Sequence, residues 1–258
     1  MVHLYENNSI SPSLFPSPAR VAFIVFFSLF SPLHKKKRGN MSTATQTKKY
    51  SKAFRSRATM IEMLGDRGYV LPNDTPRPAS LDEFKHNLTL STTNEILYDS
   101  CTLVGQHKDN GPSDIIVVFF DGEEKINTIK IRGYWMKAAE QNARSMIIVH
   151  VGHVNPAARK FAVELARNEE KPIKTQFFDQ DDVVINITKH ELVPTHEPLT
   201  QAQADEVLAN HNVQLAQLPR ILLRDPQVQY FGLERGRVVK ITRSSETAGQ
   251  YVTYRQVV

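Results

Sequence analysis

Cysteine is almost absent from this sequence, which contains a single residue of that type, Cys101. No disulfide can therefore form within the chain, and a cysteine-rich zinc site is excluded. One unpaired cysteine fits a reducing compartment, because disulfides persist in oxidising ones. We expect Cys101 to be a buried structural residue, since a free cysteine usually behaves as a small hydrophobic side chain. A reactive thiol is the alternative.

A large excess of charge of one sign is absent from most of the chain. The net charge is +5, but residues 1–40 hold five basic residues and one acid, which accounts for +4. The rest of the chain holds 27 basic and 26 acidic residues. A uniformly basic protein is therefore excluded, and any contact with nucleic acid must come from local patches.

The first forty residues contain a hydrophobic run that is too short to span a bilayer. Val21–Phe30 is ten residues long, which suits the core of a signal peptide, although the prolines before it fit such a segment poorly. Lys35–Arg38 is typical of a nuclear-localisation signal or of a membrane flank. Three interpretations stay open: a start site placed upstream of Met41, a targeting segment, or a folded element. We expect the first, with residues 1–40 forming a leader that is disordered or not in the mature protein, and we expect no membrane partner.

Apolar periodicity after Met41 predicts an α/β layer with a mixed sheet and flanking helices. A helix is expected over Lys49–Gly65, and Asn155-Pro156 has the N-cap and N1 residues that begin another. The predicted strands are Ile115–Phe120, Ile126–Ile131, Met146–Val151 and Ile173–Phe178. The second of these is expected to return from an Asp121-Gly122 turn and to pair with the first.

A cluster of acids at Asp179–Asp182 marks the expected start of a second, small α+β domain. Val183–Ile187 is predicted to be a strand there. Thr200 and Gln203 form a capping box for a helix over Gln201–Asn210, and Asp225-Pro226 begins a shorter helix. Arg237–Thr242 and Gln250–Arg255 alternate as strands do. The predicted domains are therefore 41–182 and 183–258, after the leader at 1–40.

The motifs that suggest catalysis are weak. Asp114 with Glu123-Glu124-Lys125 loosely matches a Mg²⁺-dependent nuclease, which is the alternative function, but the glutamates follow a turn and are expected in solvent. His190-Glu191 begins like a zinc-protease helix, yet Pro194 stands where the second histidine is needed. Gly232–Gly236 is too short and too charged to hold a phosphate. The sequence therefore predicts no catalytic residue, no metal ligand and no cofactor.

Two sets of residues are candidates for binding. The tail carries seven cations against three acids, with interleaved tyrosines, which is typical of a protein interface but also of a solvated face. Its cations are Arg220, Arg224, Arg235, Arg237, Lys240, Arg243 and Arg255. The second set lies where Asn155-Pro156 begins a helix, because free N–H groups there, with Arg159 and Lys160, favour phosphate. An ordinary capped helix with solvated cations is the alternative for this set.

Several of these segments resemble the shared fifth subunit of the eukaryotic nuclear RNA polymerases. The resemblance covers residues 49–258, and it is strongest from Val183 onward; the tail is also similar to a small subunit of the archaeal RNA polymerase. The matching segments are Asp66-Arg67-Gly68-Tyr69, Leu81–Lys85, Val184–Pro194, Gln217–Ile221, Arg224–Pro226, Gly232-Leu233, Arg235-Gly236, Val238–Ile241, Ser245–Thr247 and Tyr254-Arg255. Residues 1–40 have no counterpart in that family, and Asn87–Ser113 diverges from it.

The resemblance implies a non-catalytic subunit in the nucleus with two domains. An N-terminal jaw domain of nuclease-like fold would lie beside downstream DNA, with the loop at Asn155-Pro156 facing the duplex. A C-terminal assembly domain would hold the chain against the largest polymerase subunit, which favours the protein-interface interpretation of the tail cations. The partners expected are the largest subunit, other polymerase subunits and downstream duplex DNA.

Overall fold

The first helix, α1, runs over Thr43–Asp66 and packs on the main hydrophobic core. This confirms the predicted helix at Lys49–Gly65 and extends it by about two turns at its N-terminus. Ala53, Met60 and Leu64 are buried at spacings of seven and four residues, so they share one helical face. The helix therefore presents one apolar stripe to the sheet beside it.

The computed structural model describes residues 43–88, 96–167, 171–245 and 249–258. The leader at 1–40, for which predictions were made above, lies outside these ranges. So does Glu246, one of the three acids counted against the tail cations. Within the described part of the chain, no helix is both long enough and apolar enough to cross a membrane.

A mixed five-stranded sheet lies beside α1. Its strands are β1 Tyr69–Val70, β2 Leu103–His107, β3 Gly111–Asp121, β5 Ser145–His150 and β7 Lys174–Asp179, in the spatial order β1-β2-β3-β5-β7. The first three are antiparallel to one another, whereas β3, β5 and β7 run parallel. The predicted mixed sheet is thus confirmed. In the central run Ile115–Phe120, all residues after Ile115 are buried, as expected for a strand that is covered on both faces.

Three further helices complete the N-terminal part. They are α2 Leu81–Leu88, α3 Thr128–Glu140 and α4 Pro156–Leu165. Side chains alternate across β3, so Phe120 faces the core under α1 and Phe119 faces the core under α3 and α4. A two-stranded parallel pair, β4 Lys125–Ile126 with β6 His153–Val154, precedes α3 and α4.

The predicted strand at Ile126–Ile131 is wrong, because most of it belongs to α3. Asn127 ends the short strand β4 and accepts a hydrogen bond from the Lys130 N–H at 2.9 Å, which caps the helix. Ile131, Tyr134 and Ala138 are buried at spacings of three and four residues. The apparent alternation of isoleucines is therefore the beginning of a helical stripe, and Ile129 is 79% exposed.

The C-terminal part is a four-stranded sheet with a helix on each face. Its elements are β8 Thr195–Pro198, α5 Gln201–Asn210, β9 Arg220–Ile221, α6 Pro226–Tyr230, β10 Val238–Ser245 and β11 Gly249–Val257, with strand order β8-β10-β11-β9. The predicted capping box at Thr200 and Gln203, the Asp225 cap of α6 and the two long strands are confirmed. Val239 and Ile241 pack towards α6, whereas Val238 packs towards α5.

The predicted strand at Val183–Ile187 is wrong as well. The Asn186 side chain accepts a hydrogen bond from the Thr188 N–H at 3.0 Å and begins a 3-10 turn at Ile187–Lys189. Val183 belongs to the main hydrophobic core with α1, and Ile185 is 65% exposed. An asparagine that bonds to its own backbone favours a turn over a sheet ladder, and that local bond decides the structure here.

Candidate nucleic-acid and partner interfaces

The N-termini of α3 and α4 lie side by side. The pair β4–β6 sets Ile126 opposite Val154, so the residues that follow, Asn127 and Asn155, come next to each other. The Asn155 N–H donates to the Ile126 carbonyl at 3.1 Å, which fixes this arrangement. Asn155 also caps α4 by accepting from the Ala157 N–H at 3.2 Å. The two helices therefore begin next to each other.

This doubled helix start favours anions. Each helix N-terminus carries a partial positive charge, and the two act in the same direction here. Arg159 and Lys160, on the first turns of α4, are exposed beside it, and so is Lys125 of β4. The Arg159 guanidinium lies 5.3 Å from the ring centroid of Phe177, which restrains this long side chain against the sheet. The arrangement can hold a phosphate without reading a base.

Asp121 anchors the loop below these helix starts. Its buried carboxylate accepts from Lys130 Nζ at 2.6 and 2.7 Å, from the Tyr134 hydroxyl at 3.0 Å and from the Glu123 N–H at 2.8 Å. These hydrogen bonds compensate the loss of water around a buried charge. Burial and the neighbouring carboxylate together raise the pKa of Tyr134, so its hydroxyl stays a donor.

Gly152 lets the two loops that end β3 and β5 approach each other closely. A Cβ atom built at this position would lie 2.3 Å from the Glu123 carbonyl oxygen and equally close to the Glu124 backbone. The His153 N–H donates to the Glu124 carbonyl at 2.9 Å across the same contact. Any larger residue would separate the strands that set the two helix starts side by side.

His150 lies buried at the end of β5, between Asp121 of β3 and Asp179 of β7 in the register of the sheet. It is 5% exposed, and its Nδ1 has no hydrogen-bond partner among the described residues. Burial lowers the pKa of His150, and the charge of Arg159 lowers it further. The charges of Asp179 and Asp121 raise it but do not outweigh burial. His150 is therefore a neutral side chain at pH 7 under the helix starts, in register with two carboxylates.

The nuclease-like layout does not assemble. Asp114 lies near the beginning of β3 and Glu123 follows its end, so nine residues of extended chain, roughly 30 Å, separate them. Tyr69 and Asn110 donate to the Asp114 carboxylate, which ties it to β1 and the preceding turn. Glu123 and Glu124 are exposed as expected, but they follow a strand that leads into β4 and α3, and the predicted hairpin does not form there.

A second polar cluster joins the N-terminal and C-terminal parts. Arg67 follows α1 and donates from Nε to the Tyr230 carbonyl at 2.7 Å and from Nη2 to the Gln229 carbonyl at 2.8 Å. Its Nη1 donates to Gln176 Oε1 of β7 at 2.8 Å. Gly232, at φ +64°, passes so close to this guanidinium that a Cβ would lie 3.0 Å from Nη1.

Side chains around Tyr230 extend this junction. The Tyr230 hydroxyl donates to Asp66 at 2.6 Å, and Asn186 donates to that hydroxyl at 3.1 Å and to Glu62 at 2.8 Å. Lys189 forms an ion pair with Glu62 at 2.6 Å. Burial and Asp66 raise the pKa of Tyr230. These bonds join α1, the 3-10 turn and α6, and residues 41–258 form one compact unit.

Two family descriptions match the chain in consecutive segments. Residues 47–138 match "RNA polymerase Rpb5, N-terminal domain", and residues 185–257 match "RNA polymerase Rpb5, C-terminal domain". The chain belongs to the RNA polymerase Rpb5 family. The resemblance stated from the sequence is thereby confirmed.

Curated relatives of this Rpb5-family chain match most of its length. "DNA-directed RNA polymerases I, II, and III subunit RPABC1" of Caenorhabditis elegans is 37% identical over 207 residues, 80% of this chain and 95% of the relative. The subunit of that name in Dictyostelium discoideum is 36% identical over 77% of this chain and 93% of its own length. "DNA-directed RNA polymerase subunit 5-like protein 1" of Arabidopsis thaliana is 32% identical, with 80% and 95% covered.

Membership of the Rpb5 family confirms that the chain is a non-catalytic subunit of a DNA-dependent RNA polymerase. Across the described ranges, no three side chains of the metal-binding types come together as a metal site. Cys101 is buried, as expected, and burial raises the pKa of its thiol to about 11, so it is not an activated nucleophile.

The seven tail cations of this Rpb5-family chain do not share one face. Arg243 and Arg255 lie on the face of the sheet that carries α6, whereas Lys240 and Arg220 lie on the α5 face. Arg224 and Arg235 are exposed in the turns that flank α6. Some of the set is used within the C-terminal part, since Arg237 donates to the Leu199 carbonyl at 3.0 Å and Lys240 pairs with Glu197 at 2.9 Å.

Sequence reasoning missed two residues that matter for these interfaces. Asn127 was overlooked as a helix cap because it stands between two isoleucines that alternate as in a strand; an asparagine before a Thr-Ile-Lys-Ile run was the available signal. In the sequence, Arg67 stands out only as part of Asp66-Arg67-Gly68-Tyr69, one of the segments that resemble the polymerase subunit family. Its acceptors are backbone carbonyls 162 and 163 residues away, which no local pattern indicates.

Proposed function

We propose that this chain docks through its C-terminal part, residues 183–258, on the largest subunit of a nuclear RNA polymerase. Its N-terminal part, residues 41–182, then acts as a jaw beside the downstream DNA. The named relatives are subunits of RNA polymerases I, II and III, which supports a nuclear location and other polymerase subunits as partners. The observation that carries the jaw's role is the pair of adjacent helix N-termini at Asn127 and Asn155 with two exposed cations beside them.

The DNA contact is sequence-independent. The helix start at Asn155 and Pro156 contributes its partial positive charge, and Arg159 and Lys160 contribute cationic side chains, which interact with phosphates and not with base edges. The Arg67 junction supports this role, because it limits the movement of the jaw relative to the docked part. A surface that must follow a moving duplex gains from such unspecific contacts, since each step along the DNA is equivalent.

The DNA role is tested on assembled polymerase with Arg159→Ala/Lys160→Ala. Binding to a duplex that extends downstream is measured against salt concentration. Loss of two phosphate contacts should reduce the slope of log K on log salt by about 1.8. The matched control is Arg55→Ala/Arg77→Ala, which removes two exposed cations elsewhere on the jaw. An unchanged slope in the first variant would refute the DNA contact.

Docking is tested separately with Arg220→Glu/Arg224→Glu, which reverses two exposed charges of the tail. We expect this variant to be lost from purified polymerase, because buried like charges or unpaired charges at an interface cost several kcal/mol. Arg55→Glu/Arg77→Glu carries the same change in net charge and should still be incorporated. Equal incorporation of both variants into polymerase would contradict docking through Arg220 and Arg224.

A further inference from the structure

Lys130, on the first turn of α3, contacts two carboxylates at once. Its Nζ donates to both oxygens of the buried Asp121 carboxylate at 2.6 and 2.7 Å, and it lies 3.1 Å from Glu123 Oε1. The Glu123 side chain is 62% exposed, whereas the Asp121 side chain is 1% exposed. One ammonium group therefore faces two carboxylates, and the second of these is open to solvent.

The surplus negative charge lies at the start of α3. Asp121 balances the charge of Lys130, so Glu123 leaves this group of three side chains with a net charge of −1. Glu123 is held at both ends, because its N–H donates to Asp121 Oδ1 at 2.8 Å and its carboxylate contacts Lys130. A carboxylate beside the positive end of a helix is stabilised there, as an external anion would be.

The neighbouring start of α4 carries the opposite side-chain charge. Arg159 and Lys160 are exposed on its first turns. Arg159 lies over the uncharged ring of Phe177, which restrains the side chain without neutralising its charge. The exposed residues Glu124-Lys125, in the loop before α3, add no net charge. A DNA backbone that approaches the two helix starts therefore meets side-chain repulsion at α3 and attraction at α4.

We propose that Glu123 is a positioning residue for the DNA contact, which directs the DNA backbone to α4 and keeps the contact weak. Helices that pack together lie about 8–10 Å apart, and α3 contacts α4 through Arg132, 5.3 Å from the ring centroid of Phe161. The Debye length is about 10 Å at 0.1 M salt. The carboxylate thus repels a phosphate at the start of α3 strongly and one at the start of α4 weakly.

This inference rests on the proposed DNA contact of Arg159 and Lys160. A weak contact suits a duplex that moves past the jaw, since electrostatic contacts of this kind let a protein slide along DNA. The cations supply the attraction, and Glu123 limits it.

The first test measures binding of assembled polymerase to a duplex that extends downstream. Glu123→Gln removes the charge and keeps the size of the side chain, while Asp121 still holds Lys130. We expect the affinity to rise about two- to fourfold at low salt, the Coulomb energy of one like charge at roughly 5–10 Å in water. The gain should shrink as the salt concentration is raised, because ions screen the repulsion.

Two control variants separate charge from shape and from position. Glu123→Asp keeps the charge and should bind like the natural chain. Glu140→Gln removes an exposed carboxylate at the other end of the same helix, whose 13 residues place it roughly 18 Å from the start. Glu140→Gln should therefore leave the affinity unchanged.

A second test locates the DNA by cross-linking. A photo-reactive group is attached before assembly to Ile129→Cys, on the first turn of α3 and 79% exposed, or to Ala157→Cys, exposed on the first turn of α4. The natural Cys101 is buried and its pKa is raised to about 11, so the introduced thiol reacts selectively. The duplex should cross-link mainly from Ala157→Cys, and Glu123→Gln should raise the yield from Ile129→Cys at least twofold.

Three outcomes would overturn the proposal. They are an unchanged affinity in Glu123→Gln, an equal gain in either control variant, and an unchanged cross-linking yield from Ile129→Cys. Arg159→Ala/Lys160→Ala shows which idea has failed: if that variant also leaves the salt dependence unchanged, the DNA contact itself is refuted, whereas a reduced slope refutes the role of Glu123 alone.

Discussion

The Arg67 guanidinium donates from Nε to the carbonyl oxygen of Tyr230 at 2.7 Å, across a sequence separation of 163 residues. Burial lowers the pKa of Arg67 to about 10, so it remains charged at neutral pH. Arginine has five N–H donors in a fixed plane, which is why one side chain can bind two successive carbonyls of α6 and a glutamine of β7 together. This buried fork of hydrogen bonds therefore joins the two parts of the chain directly.

Replacing Arg67 should loosen this junction. Arg67→Ala removes three hydrogen bonds, and we expect the free energy of unfolding to fall by about 2–3 kcal/mol. Arg67→Lys should recover only part of this loss, because an ammonium group cannot reproduce the planar fork. Urea denaturation measures the change. Arg55→Ala, on the exposed side of α1, should stay within about 0.5 kcal/mol of the natural chain; a similar loss in both alanine variants would rule out a special role for Arg67.

His150 should make stability depend on pH. Its pKa in the folded chain lies below the ordinary value of 6.5, so between these two values the unfolded chain binds more protons. The stability is therefore fully present above pH 6.5 and falls as the pH drops towards the folded value, by at most about 1.4 kcal/mol per pH unit. Denaturation between pH 5.5 and 7.5 measures this slope.

His150→Gln should flatten that slope. The charged groups around it, Asp121, Asp179 and Arg159, remain in the variant, so the change in slope reports the loss of the imidazole. His153→Gln is the matched control, because it removes an exposed histidine and leaves the buried one in place. If the slope survives in His150→Gln and disappears in His153→Gln, the assignment to the buried histidine is wrong.

Two glycines should respond to alanine with opposite signs. Gly152→Ala places a methyl group against the Glu123 and Glu124 backbone, and we expect a loss of about 1–3 kcal/mol. Gly133, within α3, has no atom within 4 Å of an added Cβ among the described residues, so Gly133→Ala should stabilise by about 0.5–1 kcal/mol. Thermal unfolding compares the variants. Equal and small shifts in both would show that the two loops do not need their close approach.

Much of the fold follows from local signals in the sequence. Thr200 with Gln203, Asn155-Pro156 and Asp225-Pro226 begin helices where they were predicted, because each satisfies N–H groups that the helix leaves unpaired. The buried strands β3 and β5 were also predicted, since their apolar runs suit a sheet covered on both faces.

The remainder could not be predicted because distant partners decide it. The segment after Ile126 becomes helical once β4 pairs with β6, a contact between residues 28 positions apart in sequence. Val183 packs in the core under α1, so the segment Val183–Ile187 does not form the predicted strand. The candidate site shows the same limit: the cap at Asn155 was predictable, but the neighbouring helix start at Asn127 depends on the strand pair.

Quantitative co-purification tests the account most directly. The tagged full chain is purified from nuclear extract, and the polymerase subunits bound to it are counted by mass spectrometry. We predict one largest polymerase subunit for each chain, and its loss with Arg220→Glu/Arg224→Glu. A free monomer that retains no polymerase subunit would contradict docking on the largest subunit.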